Sequence, residues 1–173
     1  MAFTVLYNAC VLYSQPLRDL LMHLASTDLF RARWSEQIHA EWMRAVLRDR
    51  PELADRLRRT RRLMDDAVPD CLVTGHEALA EHLDLPDPAD VIVTRNLRDF
   101  PRDALDRYRI DAQHPDVFLR HVLDLEGACL AAIRSLRNAM NKPCMTAAEY
   151  LDLLARQELP ETVAFLRQRI DIF

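Results

Sequence analysis

Four side chains with oxygen donors occur at points of the sequence where a ligand site is expected. Asn8 ends the apolar run FTVLY, and Asn96 and Asp99 follow the apolar run VIV. Glu41 lies in the helix that is predicted after a second strand at residues 30–34. Carboxylate and amide oxygens are the hard donors that Mg²⁺ and Mn²⁺ prefer. These residue types therefore predict a site for a divalent cation.

Each of these residues also has a simpler explanation. Glu41 can be one half of a surface ion pair with Arg44, and such pairs contribute little to stability. Asp99 can cap the turn at Pro101, and Asn96 can be an ordinary loop residue. The combination, rather than any single residue, favours a functional site.

A parallel sheet would bring the four residues together. Continuous β-branched runs with helices between them indicate parallel strands that are covered on both faces, and such sheets bind ligands beyond the carboxyl ends of their strands. We therefore predict a three-layer α/β/α fold with a central parallel sheet of four to five strands. The predicted strands cover residues 3–7, 30–34, 71–74, 90–94 and, as a possible edge strand, 109–112.

Apolar residues that recur every three to four positions predict helices in the rest of the chain. Thr146 and Glu149 form a capping box, T-x-x-E, at the start of one of them. We expect a single domain, in which a helical C-terminal extension over residues 126–173 packs on the part that covers residues 1–125. The first predicted helix begins at Pro16, and Ser35 can cap a second one that runs to about Leu47. The others cover residues 51–68, 77–83, 116–125, 130–140, 147–156 and 161–170.

The composition indicates one soluble domain. The chain has 173 residues, of which 50% are hydrophobic, and this is enough to bury one core. Neither a leader-like segment nor an uninterrupted run of about 18 apolar residues occurs, so we expect a cytoplasmic protein without a membrane segment. The cysteines are scattered without a C-x-x-C pair, which argues against a disulfide framework or a zinc site.

Eight arginines occur between Arg44 and Arg62, in a chain whose formal net charge is -4. Such a stretch can follow a phosphate backbone. It can equally be a solvated helix face on which arginines pair with nearby Asp and Glu side chains. The sequence leaves both interpretations open.

Five blocks of the sequence follow one another in the order of a known family. They are NACVLY, RARWSEQIHAEW, LPDP, VIVTRNLRDFP and AQHPDVFL. In these blocks the chain resembles the PIN-domain ribonucleases, and more narrowly the VapC-like toxins of bacterial type II toxin-antitoxin pairs. The resemblance implies an endoribonuclease that uses Mg²⁺ or Mn²⁺ to hydrolyse RNA phosphodiester bonds. It also implies a cognate DNA-binding antitoxin whose tail covers the acidic pocket, and a possible homodimer.

The resemblance assigns roles position by position. Asn8, Glu41 and Asp99 take the catalytic and metal-binding positions. Asn96 is implied as a further metal ligand, and Thr94 as a supporting residue. RNA phosphates are expected to contact three basic residues beside the site, Arg95, Arg98 and Arg102.

Two departures from the family pattern weaken this site. Asn8 stands where the family has an aspartate, so the site loses one negative charge, worth roughly 4 kcal/mol per unit pair at about 4 Å and a dielectric of about 20. The helix that carries another acidic ligand is also lacking between Pro88 and the fourth strand. Asp87 or Asp90 could replace that ligand, but we assign the role to neither.

We therefore expect a ribonuclease that has little or no activity in this form. An isosteric Asp→Asn change is the simplest way to silence a toxin, which favours a silenced enzyme. The alternative is a catalytically degenerate PIN domain that serves as a binding or regulatory module. A zinc-deaminase site is rejected because H-x-E at 39–41 lacks a matching P-C-x-x-C, and His39 is expected to be a core or capping residue.

Overall fold

Five parallel strands form the centre of the computed structural model, which describes residues 3–74, 90–125, 127–140 and 145–173. Their order across the sheet is β3-β2-β1-β4-β5, and helices flank the sheet. This arrangement confirms the predicted α/β fold class. The strands are β1 (Thr4–Tyr7), β2 (Arg31–Ser35), β3 (Leu72–Val73), β4 (Val91–Val93) and β5 (Asp111–Gln113).

The predicted helices in the described residues are present, with ends that differ by a few positions. The sequence did not predict α1 as a separate helix, and the predicted helix at 77–83 lies outside the described residues. The helices are α1 (Ala9–Leu12), α2 (Gln15–Ala25), α3 (Glu36–Asp49), α4 (Ala54–Ala67), α5 (Arg102–Leu105), α6 (Pro115–Leu123), α7 (Gly127–Ala139), α8 (Ala147–Ala155) and α9 (Pro160–Arg167).

The sheet register aligns the strand ends that carry the candidate residues. β1 lies between β2 and β4, and Leu6 is paired with Ile92. Just beyond these strands, the Asn8 N–H donates to the Val93 carbonyl at 3.1 Å. Since all the strands run in the same direction, the residues after β1 and after β4 meet at one edge of the sheet. We call this edge the carboxyl edge.

Aromatic side chains fill the core beside the central strands. Tyr7 and Trp34 are stacked with ring centroids 6.1 Å apart, and Phe30 packs edge-on against Phe118 at 5.3 Å. The Tyr7 hydroxyl donates to the Leu21 carbonyl at 3.1 Å, so its one polar group is satisfied. Burial raises the pKa of Tyr7 well above its ordinary value. These contacts fix β1 and β2 against α2 and α6.

His39 is fully buried and holds α3 against the sheet, as its predicted core role requires. Trp42 donates its indole N–H to His39 Nδ1 at 3.0 Å, so the ring proton is on Nε2 and is donated to Asp65 at 2.9 Å. The indole N–H of Trp34 donates to the same carboxylate oxygen at 2.8 Å. This network positions α3, the helix that carries Glu41.

The C-terminal helices pack on the rest of the molecule through α6 and α2. Asp116 of α6 accepts hydrogen bonds from the main-chain N–H groups of Glu161 at 2.9 Å and Thr162 at 2.8 Å. Helices α7 and α8 contact α2. Thr146 and Glu149 form the predicted capping box. The boundary between residues 125 and 126 stays a prediction.

Two cysteines lie in the core. Cys71 and Cys129 are free and buried, and burial raises the pKa of each thiol to about 11. Cys10 is free and half-buried. Within the described parts of the chain, no helix combines the length and the apolar character needed to cross a membrane.

Candidate functional site at the carboxyl edge

Asn8 connects β1 to α1 and caps that helix. Its main chain is extended, with φ -74° and ψ 153°, and its side-chain oxygen accepts the Cys10 N–H at 3.1 Å. Asparagine is among the residues preferred at this position because its side chain satisfies an N–H that the helix leaves unpaired. A capping role thus gives Asn8 a structural function at the carboxyl edge.

Thr94 joins the segment after β4 to the segment after β1. It is fully buried, and its hydroxyl accepts the Asn96 N–H at 3.1 Å. The sulfur of Cys10 lies 3.4 Å from the same hydroxyl. Thr94 therefore contacts both segments, and its supporting role stays a prediction.

Asp99 and Asn96 lie beside one another on that loop. Asp99 ends a 3₁₀ turn over Leu97–Asp99, and the Asn96 side-chain amide donates to Asp99 Oδ2. The N-cap residue of α5, Pro101, makes no side-chain cap hydrogen bond, and the Asp99 carboxylate is bonded to Asn96. Both residues are exposed at the carboxyl edge. The hydrogen bond orients the Asp99 carboxylate.

Glu41 is exposed on α3, a helix that packs against α1. The hydrogen bonds at the carboxyl edge connect Asn8, Thr94, Asn96 and Asp99 through the two loops, but they do not include Glu41. Among residues 3–74, 90–125, 127–140 and 145–173, no three His, Cys, Asp or Glu side chains are grouped as a cation site. The metal role of Glu41 stays a prediction.

Asp90 cannot replace the acidic ligand that the sequence lacks. Its carboxylate accepts the Thr4 N–H at 2.6 Å, and its own N–H donates to the Thr4 carbonyl at 2.8 Å. Thr4 is the first residue of β1, so Asp90 lies at the opposite edge of the parallel sheet from Asn8. The other candidate, Asp87, lies outside the described residues.

The donor types at the carboxyl edge fit a hard divalent cation. Asp99 supplies a carboxylate and Asn96 an amide, and Glu41 would add a second carboxylate. Mg²⁺ binds through one or two carboxylates together with water and substrate oxygens. Asn8 contributes no charge, so this donor set is weaker than one with aspartate at position 8.

The three basic residues predicted to contact RNA have different environments. Arg98 is exposed in the 3₁₀ turn, and Arg102 is exposed with its Nε 3.8 Å from Asp106. Arg95 instead donates from Nη2 to the Gln157 carbonyl at 3.0 Å, in the turn between α8 and α9. Sequence reasoning missed this contact because it joins residues 62 positions apart.

The arginine-rich stretch forms ion pairs with nearby carboxylates. Arg58 pairs with Asp55, and Arg61 pairs with Glu36 and lies 3.8 Å from Asp65. These contacts are typical of a solvated helix face. Whether other arginines of the stretch bind phosphates stays a prediction.

A groove of about 790 Å³ lies between α2 and α4, and the sequence gave no sign of it. Its lining is mainly apolar, with Met22 and Leu57 among its residues. Arg18 also lines the groove but is largely buried; it donates to the Leu12 carbonyl at 2.9 Å, and its guanidinium lies 5.0 Å from the centre of the Trp42 ring. Burial lowers the pKa of Arg18.

Known proteins resemble this chain in two ways. The family described as VapC50 C-terminal domain matches residues 115–168. A curated Mycobacterium tuberculosis (strain ATCC 25618 / H37Rv) protein named "Putative ribonuclease VapC50" is 46% identical over 81 residues. The chain is thus similar to VapC proteins over part of its length.

The extent of this similarity is limited. The match to the mycobacterial VapC50 covers 46% of this chain and 47% of that relative, so the chain spans about half the length of the curated relative it matches. No solved structure matches the chain. The five-stranded parallel sheet agrees with the PIN-like fold that the VapC resemblance implies.

Proposed function

We propose that this VapC-like protein is a metal-dependent endoribonuclease, the toxin of a toxin-antitoxin pair, and that Asn8 weakens its activity. The observation that carries the proposal is the meeting of Asn8, Thr94, Asn96 and Asp99 at the carboxyl edge. Their placement agrees with the roles that the PIN resemblance gives them. The mycobacterial relative is named as a ribonuclease, which supports ribonuclease activity.

In this proposal each residue at the edge has a distinct task. Asp99 and Glu41 hold the cation, and the amide of Asn96 orients the Asp99 carboxylate. Thr94 keeps the loop in place through its bond to the Asn96 N–H. A bound Mg²⁺ or Mn²⁺ would neutralise charge on the phosphate and supply hydroxide. Arg98 and Arg102 are exposed next to the site and bind RNA phosphates.

Asn8 weakens the site through charge and not through shape. Aspartate at this position could accept the same Cys10 N–H, because aspartate and asparagine are about equally good helix caps. The substitution Asn8→Asp should therefore leave the fold intact while it adds one negative charge. A gain in cation affinity would then report on the site directly.

Mn²⁺ titration followed by electron paramagnetic resonance tests this part of the proposal. We expect Asn8→Asp to bind Mn²⁺ at least tenfold more tightly than the chain with Asn8. A tenfold change corresponds to about 1.4 kcal/mol, which is less than the roughly 4 kcal/mol of electrostatic attraction between one carboxylate charge and a cation charge at about 4 Å. Asp111→Asn is the control, since Asp111 lies on edge strand β5 and bonds to Gln113. Equal affinity of the parent chain and the Asn8→Asp variant would contradict a metal role for this position.

We further propose that the partner antitoxin binds the groove between α2 and α4 through an acidic amphipathic segment. The apolar lining would bury the apolar face of that segment. Arg50 and Arg56 line the same groove and would form ion pairs with the carboxylates of the antitoxin segment. The antitoxin would then contact the protein at two places: this groove, and the acidic pocket that the family resemblance implies for its tail. Self-association of the chain stays a prediction.

Calorimetric titration with the cognate antitoxin tests the groove. Arg56→Glu should weaken binding at least tenfold, because it places a carboxylate against the proposed acidic segment. Arg59→Glu makes the same charge change at an exposed position of α4 that does not line the groove. Equal losses in the two variants would mean that overall charge, and not the groove, determines affinity.

The alternative function is a degenerate PIN domain that binds RNA or protein without cleavage. It is favoured by the absence of a three-residue acidic group in the part of the chain that the structure describes. In that case Asn8→Asp would bind no additional metal and gain no activity. The Mn²⁺ titration therefore separates the two functions.

A further inference from the structure

The side chain of Arg95 is oriented toward the protein and not toward solvent. Its Nη2 donates to the Gln157 carbonyl at 3.0 Å, and its Nη1 lies 3.9 Å from the Glu158 carboxylate. The side chain is 28% exposed, against 89% for Arg102. The side chain of Arg95 is therefore much less accessible to RNA than that of Arg102.

A second contact fastens the same turn to the other side of the carboxyl edge. The Ser14 hydroxyl donates to the side-chain oxygen of Gln157. Ser14 follows α1, the helix that Asn8 caps, whereas Arg95 follows β4. The turn between α8 and α9 is thus attached to both of the segments that form the candidate site.

This turn has a backbone conformation that requires support. Glu158 has a φ of 59°, in the left-handed region that residues other than glycine seldom adopt. The Gln157 and Glu158 N–H groups are bonded to carbonyls of the preceding helical turn, at 2.9 Å and 3.3 Å. Such a conformation persists where surrounding contacts over-determine it. Arg95 supplies one of these contacts.

We propose that Arg95 is a positioning residue that fastens the α8–α9 turn to the candidate site, and that its guanidinium does not bind an RNA phosphate. The Arg95 main-chain N–H also donates to the Cys10 sulfur at 3.2 Å, so main chain and side chain together connect β4, α1 and the turn. The C-terminal extension then forms one wall of the RNA site. The reference to RNA rests on the proposed function, whereas the contact itself does not.

Hydrogen exchange read by mass spectrometry tests the structural half of the proposal. Arg95→Gln should raise the exchange rate of the Gln157 and Glu158 amides about tenfold, since a charged donor to the turn is lost. Arg102→Gln is the control, because it removes the same charge from an exposed side chain. The Thr162 amide, which is bonded to Asp116, serves as an internal reference and should not change.

The salt dependence of RNA binding tests the other half. Loss of one phosphate contact lowers the slope of log affinity against log salt by about 0.7 for single strands. Arg102→Gln should show this decrease, and Arg95→Gln should keep the slope of the parent chain. The proposal would be overturned if Arg95→Gln left the exchange of the Gln157 and Glu158 amides unchanged. A smaller slope of log RNA affinity against log salt in Arg95→Gln would overturn it as well.

Activity separates positioning from simple loss of fold. In the Asn8→Asp form, Arg95→Gln should lower kcat about tenfold while KM stays within about twofold and the melting temperature shows a fully folded protein. Arg95→Lys keeps the charge and should restore part of kcat. A rise in KM alone would overturn the proposal. If no form binds or cleaves RNA, the proposed function fails, and the exchange measurement still decides whether Arg95 fastens the turn.

Discussion

Replacement of Asp116 by alanine should destabilise the protein more than any surface substitution. Asp116 is 5% exposed, and its two carboxylate oxygens accept the N–H groups of Glu161 at 2.9 Å and Thr162 at 2.8 Å. These N–H groups belong to the first turn of α9. The N-cap residue of this helix, Leu159, makes no side-chain hydrogen bond to the first turn. One carboxylate therefore connects α6 to α9.

The magnitude follows from the two hydrogen bonds. Hydrogen bonds to a charged acceptor contribute about 1.5–3 kcal/mol each, so Asp116→Ala should lower the free energy of unfolding by at least about 3 kcal/mol. Asp116→Asn keeps one acceptor oxygen but places an amide NH₂ against the second N–H. We expect about half of the alanine effect for this variant.

Urea unfolding measures these changes. With a slope of roughly 2 kcal/mol per molar urea, Asp116→Ala should lower the midpoint by about 1.5 M without a change in slope. Asp124→Ala is the control in the same region, because Asp124 is exposed and pairs with Arg120 one helical turn away. Such pairs contribute up to about 0.5 kcal/mol. A loss below about 1 kcal/mol in Asp116→Ala would refute the reasoning.

Two further predictions concern ionisable groups. The main-chain N–H of Thr146, the N-cap residue of α8, lowers the pKa of Glu149. The capping box therefore stabilises the protein at neutral pH. This contribution is lost as the pH falls from about 4.3, the ordinary pKa of glutamate, through the lowered pKa of Glu149. Urea unfolding between pH 6 and pH 3 should show this loss in the parent chain and not in Glu149→Gln. In a Cys144→Ser background at pH 8, iodoacetamide should modify Cys10 before Cys71 or Cys129, because burial raises the pKa of those two thiols to about 11. Peptide mass spectrometry gives the order, and faster labelling of a buried thiol would contradict the core packing.

The arrangement of the carboxyl edge could be predicted from the sequence. The apolar runs before Asn8 and Thr94 identified β1 and β4, and in parallel strands the residues that follow them must meet. The contact between Thr94 and Cys10 follows from this rule. The position of Asp90 at the opposite edge follows from it as well, once the register of β4 against β1 is known.

The contacts of the C-terminal helices could not be predicted in the same way. The bond from Arg95 to Gln157 spans 62 positions, and those from the start of α9 to Asp116 span 45 and 46. No local pattern encodes such a pairing, because it depends on how the helices pack. An arginine beside a predicted site therefore suggested a phosphate contact, whereas its partner in the structure is a main-chain carbonyl.

Cleavage of a mixed RNA pool in Mg²⁺ or Mn²⁺, with the chain compared to its Asn8→Asp variant, tests the central claim most directly. We expect cleavage by Asn8→Asp that is abolished by EDTA and by a second change, Asp99→Asn, and little or no cleavage by the chain with Asn8. Asp111→Asn in the Asn8→Asp form should retain activity. If neither form cleaves RNA while both remain folded, the protein is not a nuclease silenced at Asn8.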